Sequence, residues 1–345
     1  RERERETETE TERGERRERG ETHTYKHAQI QRMPWSSAEE EALIGVSLTA
    51  NVLSLCGCIV IIGNGVLQPS LRPIFSYQLV ACLGAAEAVF AVGCLFGNAG
   101  AGHSHDSPPP LCLLQAVMLQ FGSLSASFWT AAIAHTLWRT VVHRDTTVGS
   151  LARRYHIAIW SVAAFFTLLP LALGTFGDSG LCRCFFVHVS EDETRQYDLY
   201  ASVRWIFQYI PIWLVLLFEL SVYVAIGRSL WGVIALARTL EPGPSHEVVG
   251  RLSELIMRLA LYPLVNLACA SPATLNRIWT LSGAQQSFPL AFLHILAKGL
   301  QGALHAAVFL LAHPKRRELN ALVEHNCGGL CGLRSAFHEI QDEDD

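Results

Sequence analysis

Four charged side chains lie deep within long apolar runs of this sequence, where a charge is costly and calls for a partner or a function. They are Glu87, Glu219, Arg258 and Lys298. Counting residues from the ends of the runs puts Glu87 and Lys298 at similar depth, which predicts a direct or water-bridged pair. Glu219 and Arg258 form a second predicted pair nearer the inner end. One interpretation is that both pairs only orient the helices. The alternative is that the second pair acts as a lock, which breaks when the sixth helix moves.

Two arginines and a histidine extend this set toward the opposite, outer end. Arg204 and Arg277 lie near the ends of the fifth and sixth apolar runs, and His294 lies one helical turn from Lys298. Together Arg204, Arg277, His294 and Lys298 are candidate ligand-binding residues, lining a cleft of positive potential that suits an anionic or phosphate-bearing ligand. The alternative for the two arginines is that they only reach toward water at the membrane interface.

Catalytic chemistry is not indicated. The sequence contains no phosphate-binding loop, no His-Glu-x-x-His and no Gly-x-Ser-x-Gly. His103, His105 and Asp106 lie in a Pro/Gly-rich stretch without further ligands, which favours a solvated loop over a metal site. We therefore expect no enzyme, no catalytic residue, no metal and no cofactor. The alternative to this expectation is a retinal-binding photoreceptor or pump that uses Lys298, and the lack of Asp and Glu in the third apolar run disfavours it.

The elements that must position these residues are seven continuous apolar runs. Each is about 20 residues or longer, enough for a helix to cross roughly 30 Å of hydrocarbon. The composition agrees, with 50% hydrophobic and 17% charged residues among 345. A β-barrel would need short alternating segments. The sequence therefore predicts an all-α membrane protein, a seven-transmembrane helix bundle. The runs are 42–66, 73–97, 111–142, 155–176, 203–231, 252–279 and 288–313.

Basic residues predict the orientation. Ten Lys and Arg residues follow runs 1, 3, 5 and 7, against two in the opposite loops, Arg183 and Arg195. The positive-inside rule then puts the N-terminus outside and the C-terminus in the cytoplasm. With a net charge of −4 and no basic face, no nucleic acid partner is expected. The ten are Arg72, Arg144, Arg153, Arg154, Arg228, Arg238, Arg251, Lys315, Arg316 and Arg317.

The chain divides into three predicted parts. Residues 1–41 are a low-complexity, disordered segment, and 1–32 carry an Arg/Glu/Thr repeat that we interpret as a translated nucleotide repeat, with a native charged tail as the alternative. Residues 42–314 form the membrane domain. Residues 315–345 begin with a short amphipathic helix on the inner leaflet and end in an acidic tail. Cys327 and Cys331 follow that helix and are candidate palmitoylation sites, with unmodified thiols as the alternative.

Three of the ten cysteines lie at the predicted outer face. Cys112 opens the third run, and Cys182 and Cys184 lie in the second outer loop. A disulfide from Cys112 to one of the other two would hold the long loop over the bundle, with free thiols as the alternative.

Three runs resemble the slime-mould-type cyclic AMP receptors and their plant and algal relatives. The third run reads CLLQAVMLQFGSLSASFWTAAIA at 112–134, and the sixth reads RLALYPLVNLACASPATLNRIW at 258–279. The seventh, LQGALHAAVF at 300–309, is similar to a Gln-Gly signature shared with the secretin-like and adhesion receptors. The resemblance covers about 42–314 and implies a seven-transmembrane G-protein-coupled receptor of class E.

The resemblance also implies partners and a disulfide. It matches Cys112 to the third-helix cysteine of the family's outer bridge, and Cys184 fits the loop pattern better than Cys182. It implies an extracellular ligand, not assumed to be cyclic AMP, and a heterotrimeric G protein at the inner face, in a multi-pass protein of the plasma membrane. Asp-Arg-Tyr and Asn-Pro-x-x-Tyr are missing, which disfavours the rhodopsin-like class. A seven-helix transporter is the alternative from another class. The residues predicted to face the G protein are Arg144, Arg153, Arg154, Arg238 and Arg251.

Overall fold

The computed structural model describes residues 35–96, 109–145, 147–179, 184–186, 202–237, 244–281 and 287–325. Within these ranges the chain forms seven long helices and one short antiparallel hairpin. The helices are α1 Ser37–Leu67, α2 Phe75–Leu95, α3 Pro110–Val141, α4 Ala152–Ala172, α5 Ile210–Ala237, α6 Pro244–Leu281 and α7 Phe288–His325. The hairpin pairs β1 Phe176–Asp178 with β2 Cys184–Phe186, and a π-helical turn, Trp205–Tyr209, leads into α5. The seven-helix prediction is confirmed.

Six of these helices are long and apolar enough to cross a bilayer. They are α1 to α5 and α7, each taken with its flanking turn where one exists. Helix α6 is not among the six over residues 258–279, the part of it whose side chains the structure describes. Large apolar side chains on the outer faces are exposed, such as Ile59 (60%) and Leu217 (63%), as expected for helices that face lipid.

Local sequence fixes where two helices begin. Ser36 and Glu39 form a capping box at the start of α1, because the Glu39 carboxylate accepts from the Ser36 backbone N–H at 2.8 Å. Pro110 starts α3, where a missing N–H costs nothing. At the other end of the chain α7 continues without a break to His325. The predicted amphipathic stretch is therefore helical as far as His325, but it is the end of α7 and not a separate helix.

Helix α3 is the centre of the bundle and packs against α2, α4, α5 and α6, while α7 packs against α1 and α6. The core between them includes Trp129 and Tyr262, both at most 2% exposed. Glycines allow two of these approaches. An added Cβ at Gly122 would lie 2.6 Å from the Phe90 backbone nitrogen, and one at Gly302 would lie 2.9 Å from the Cys58 sulfur. Small residues of this kind replace hydrophobic burial as the basis of close helix packing in membranes.

We expect Gly122→Ala to lower the free energy of unfolding by about 1–3 kcal/mol, because the methyl group must push the α2 backbone away from α3. Gly227→Ala is the matched control, since nothing lies within 4 Å of an added Cβ there. The control should be neutral or stabilising by up to about 1 kcal/mol. Thermal unfolding of the two variants in detergent measures the difference, and equal midpoints would contradict the close α2–α3 contact.

Candidate functional site

A cavity of about 150 Å³ lies at the end of the bundle that carries the hairpin, which we call the disulfide end. One water molecule requires about 10–15 Å³ on this measure, so the cavity has room for about ten water molecules. The four residues predicted to bind a ligand all line it, from the segment before α5, from α6 and from α7. The structure therefore brings together Arg204, Arg277, His294 and Lys298.

The two arginines approach each other in this cavity. The Arg277 guanidinium lies over the Tyr209 ring, 4.9 Å from its centroid, and the positive charge of Arg204 acts on it unfavourably. Arg204 Nε is buried and has no hydrogen-bond partner within the described part of the chain. Two like charges held together in a partly apolar cavity are stabilised by an anion placed between them.

The π-helical turn before α5 directs several side chains into the cavity. Arg204 immediately precedes it, and Gln208 and Tyr209 lie within it and line the cavity. A π turn holds more residues than an α turn, so it rotates the preceding segment relative to the rest of the helix, and such turns are frequent at functional sites. Sequence reasoning missed Gln208 and Tyr209 because no periodicity marks the extra residue.

Lys298 forms the floor on the α7 side. Its ammonium donates to Gln301 Oε1 at 2.8 Å and lies 5.2 Å from the centroid of the Phe90 ring. An ammonium group has three donors, so this hydrogen bond leaves donors for a ligand. His294 lies one helical turn toward the disulfide end and lines the same cavity.

A disulfide between Cys112 and Cys184 ties the hairpin to the start of α3, which is the pairing that the resemblance implies. Gln115 strengthens this attachment, because its Oε1 accepts from the Cys184 backbone N–H at 2.8 Å and its Nε2 donates to the Gly93 carbonyl at 3.1 Å. The next residue, Phe185, lines the cavity. The bridge thus fixes one wall of the cavity, and Cys182 lies outside the described residues.

Glu87 does not form the predicted direct pair with Lys298. Its Oε1 lies 3.7 Å from Nδ1 of His305, and both side chains are almost completely buried. The ammonium of Lys298 binds Gln301 instead, although its charge still acts on Glu87. Glu87 lies level with Gly302 and His305, one to two helical turns from Lys298 along α7, so His305 is the α7 side chain that approaches it.

The predicted pair between Glu219 and Arg258 is wrong. Both Glu219 carboxylate oxygens accept from Asn266 Nδ2, at 3.2 and 3.0 Å. Arg258 donates to the Leu311 carbonyl at 2.8 Å and so contacts α7. The separation of Asn266 from Arg258 along α6 is about two helical turns, so one carboxylate cannot reach both.

The opposite end of the bundle carries a short hydrogen-bonded turn after α3. The Asp145 carboxylate pairs with Arg139 and accepts from the Thr147 hydroxyl at 2.7 Å and the Thr147 N–H at 2.8 Å. The hydrogen bonds from Thr147, followed by the Arg139 charge, lower the pKa of Asp145. The carboxylate is therefore ionised at neutral pH, and this turn loses its stabilising contribution only when the pH falls through that lowered pKa.

The other residues predicted for this end are placed as follows. Arg144, Arg153 and Arg154 are exposed near this turn. Of Arg251 only the backbone is described, in α6, whereas Arg238 falls outside the described residues. The candidate palmitoylation sites Cys327 and Cys331 and the stretch 103–106 lie outside them as well. Within the described ranges no three His, Cys, Asp or Glu side chains lie close enough to hold a metal ion.

Known proteins similar to this chain are membrane receptors. The sequence pattern of the slime mold cyclic AMP receptor family matches residues 35–296. G-protein coupled receptor 1 of Arabidopsis thaliana is 24% identical over 295 residues, covering 84% of each chain. G-protein coupled receptor 157 of Mus musculus is 26% identical over 294 residues, covering 81% of this chain and 82% of that protein. The crystal structure of squid rhodopsin shares the fold, with a TM-score of 0.60 at 14% identity over 86% of this chain and 87% of that one.

Proposed function

The chain belongs to the slime mold cyclic AMP receptor family, and we propose that it transmits an extracellular signal, carried by a small anionic ligand, to a heterotrimeric G protein. One observation carries the ligand class: Arg204, Arg277, His294 and Lys298 line a single cavity. We propose a receptor and not an enzyme, because the matched family and the similar proteins of other organisms are receptors.

The other residues that line the cavity indicate the shape and polarity of the rest of the ligand. Phe90, Phe185 and Trp213 line it together with the small polar side chains Ser123 and Ser127. A ligand with a phosphate or carboxylate at one end and a flat apolar body at the other fits this division. Cyclic AMP, named in the family's description, is one compound of this class and enters the test as one candidate among several.

Orientation follows the distribution of basic residues, so the disulfide end faces outside and the turn around Asp145 faces the cytoplasm. A ligand in the cavity shifts the bundle between two arrangements only as far as its affinities for them differ. Pro211 at the start of α5 and Pro263 and Pro272 within α6 are the expected bending points, because each removes a backbone hydrogen bond. Arg144, Arg153, Arg154, Arg238 and Arg251 would then face the G protein and the anionic leaflet, with Cys327 and Cys331 available for acylation.

The ligand class is tested with purified protein in lipid nanodiscs. A panel of phosphate monoesters, cyclic nucleotides and dicarboxylates is compared with neutral analogues of the same size, using the midpoint of thermal unfolding as the signal. We expect stabilisation by at least one anionic compound and by none of its neutral analogues. Equal effects of charged and neutral compounds would contradict an anion site.

We expect Asp145→Asn to raise ligand-independent nucleotide exchange on a co-reconstituted G protein by about two- to fivefold, because it releases Arg139 from a half-buried ion pair. Thr147→Val is the partial counterpart, since it removes one hydrogen bond to Asp145 and keeps the ion pair. Its effect should be smaller. Unchanged exchange in Asp145→Asn would show that the turn has no part in coupling.

A further inference from the structure

Three consecutive hydrogen bonds connect the cavity to α5. Lys298 Nζ donates to Gln301 Oε1 at 2.8 Å, and Gln301 Nε2 donates to Asn266 Oδ1 at 3.1 Å. Asn266 Nδ2 then donates to both oxygens of Glu219, at 3.2 and 3.0 Å. These contacts run from α7 through α6 to α5, and we call this set the Lys298–Glu219 relay.

The relay is buried, and all of its hydrogen bonds run from donor to acceptor in the same direction, from Lys298 to Glu219. Gln301 and Glu219 are 0% exposed and Asn266 is 1% exposed, so water does not compete for their hydrogen bonds. An ammonium only donates and a carboxylate only accepts, which forces both amides to turn their oxygens toward Lys298 and their nitrogens toward Glu219. The two amide dipoles are therefore aligned between a positive and a negative end, and hydrogen bonds arranged in this way strengthen one another.

The two ends of the relay lie in different surroundings. Lys298 and Asn266 line the cavity, whereas Glu219 does not. Helices α5 and α6 pack less extensively than α3 does against either of them. Their polar contacts within the described residues include Glu219 with Asn266 and the Tyr223 hydroxyl with the Ala260 carbonyl, beside Pro263. Loss of one of these hydrogen bonds therefore weakens the α5–α6 contact more than a similar loss would weaken the contacts of α3.

We propose that the Lys298–Glu219 relay couples occupancy of the cavity to the contact between α5 and α6. The inference rests on the anion site proposed above. An anion that draws the Lys298 ammonium toward Arg277 pulls it away from Gln301 Oε1, and the Gln301 amide then loses the donor that orients it. Gln301 can then turn, Asn266 loses the alignment of its own amide, and Glu219 is held less firmly. Gln301 and Glu219, which do not line the cavity, are thus positioning residues that transmit the change, and Asn266 connects them at the cavity wall.

A double-mutant cycle tests the relay without any ligand. Lys298→Met, Glu219→Gln and the double variant are compared by the midpoint of thermal unfolding in nanodiscs. We expect the double variant to shift the midpoint by no more than the larger single change, because either substitution already disrupts the same set of bonds. Shifts that add would overturn the proposal. The control cycle combines Glu219→Gln with Arg204→Met, a cavity cation outside the relay, and should be additive.

Inorganic phosphate provides the second readout. In the unmodified protein we expect phosphate to raise the unfolding midpoint, and Glu219→Gln to change that rise by at least half although Glu219 is not in the cavity. Glu39→Gln, the same change at a carboxylate of α1 that neither lines the cavity nor belongs to the relay, should leave the rise unaltered. If phosphate has no effect on the unmodified protein, the proposed anion site is wrong, and the ligand-free cycle still tests the relay.

Should Glu219→Gln not fold, Gln301→Glu replaces it, because this change keeps an acceptor for Lys298 and removes the donor to Asn266.

Discussion

Replacing Arg277 by methionine is expected to weaken binding of an anionic ligand by about 2–4 kcal/mol, on the order of 10²-fold. The reason is that its guanidinium lies inside the cavity, over the Tyr209 ring, where a charge pair is screened far less than at a surface. Apparent affinity for the best compound of the anionic panel, measured by calorimetry, gives the loss.

The matched control for this prediction is Arg258→Met. Arg258 belongs to the same helix and carries the same charge, but its guanidinium donates to the Leu311 carbonyl and does not line the cavity. Affinity should stay within about threefold of the unmodified protein, the usual limit for a change that removes no ligand contact. A similar loss in both variants would mean that net charge, and not the cavity, attracts the ligand.

Removing the disulfide has the second large expected effect. Cys184→Ser should lower the free energy of unfolding by about 2–4 kcal/mol, because a bridge between positions 72 residues apart no longer restrains the unfolded chain. It should also weaken ligand binding, since β2 carries Phe185 into the cavity wall. Thermal unfolding and ligand affinity of the purified variant measure the two effects.

Cys56→Ser is the control for the disulfide, because Cys56 is an exposed free thiol in α1. Its stability should match that of the unmodified protein. Cys112→Ser should reproduce Cys184→Ser, and the double variant should be no worse than either. If the two single variants differed strongly, one cysteine would have a role beyond the bridge.

The fold was largely predictable because the membrane imposes a simple rule on the chain. Apolar runs of sufficient length must be helices, and the predicted runs agree with α1 to α7 to within a few residues at most ends. The same rule placed Arg204 and Arg277 near the outer ends of their runs with His294 and Lys298 below them, and the structure gathers all four in one cavity. Their role in binding stays a prediction.

The partners of the buried charges were not predictable from depth. Counting residues from the ends of a run fixes depth only to within about two helical turns, and an error of that size changes the neighbour that a side chain reaches. Glu219 therefore meets Asn266 and not Arg258, and Glu87 meets His305 and not Lys298. The π-helical turn before α5 adds a rotation that no apolar pattern reveals. Asn266 and Gln301 gave one signal, since both are polar amides within otherwise apolar runs.

We propose that an anion in this cavity drives a G protein, and ligand-stimulated nucleotide exchange in co-reconstituted nanodiscs tests this most directly. We expect stimulation by an anionic compound and its loss in Arg277→Met, with Arg258→Met retaining it. Uptake of that compound into proteoliposomes, without any nucleotide exchange, would contradict the account and favour a transporter.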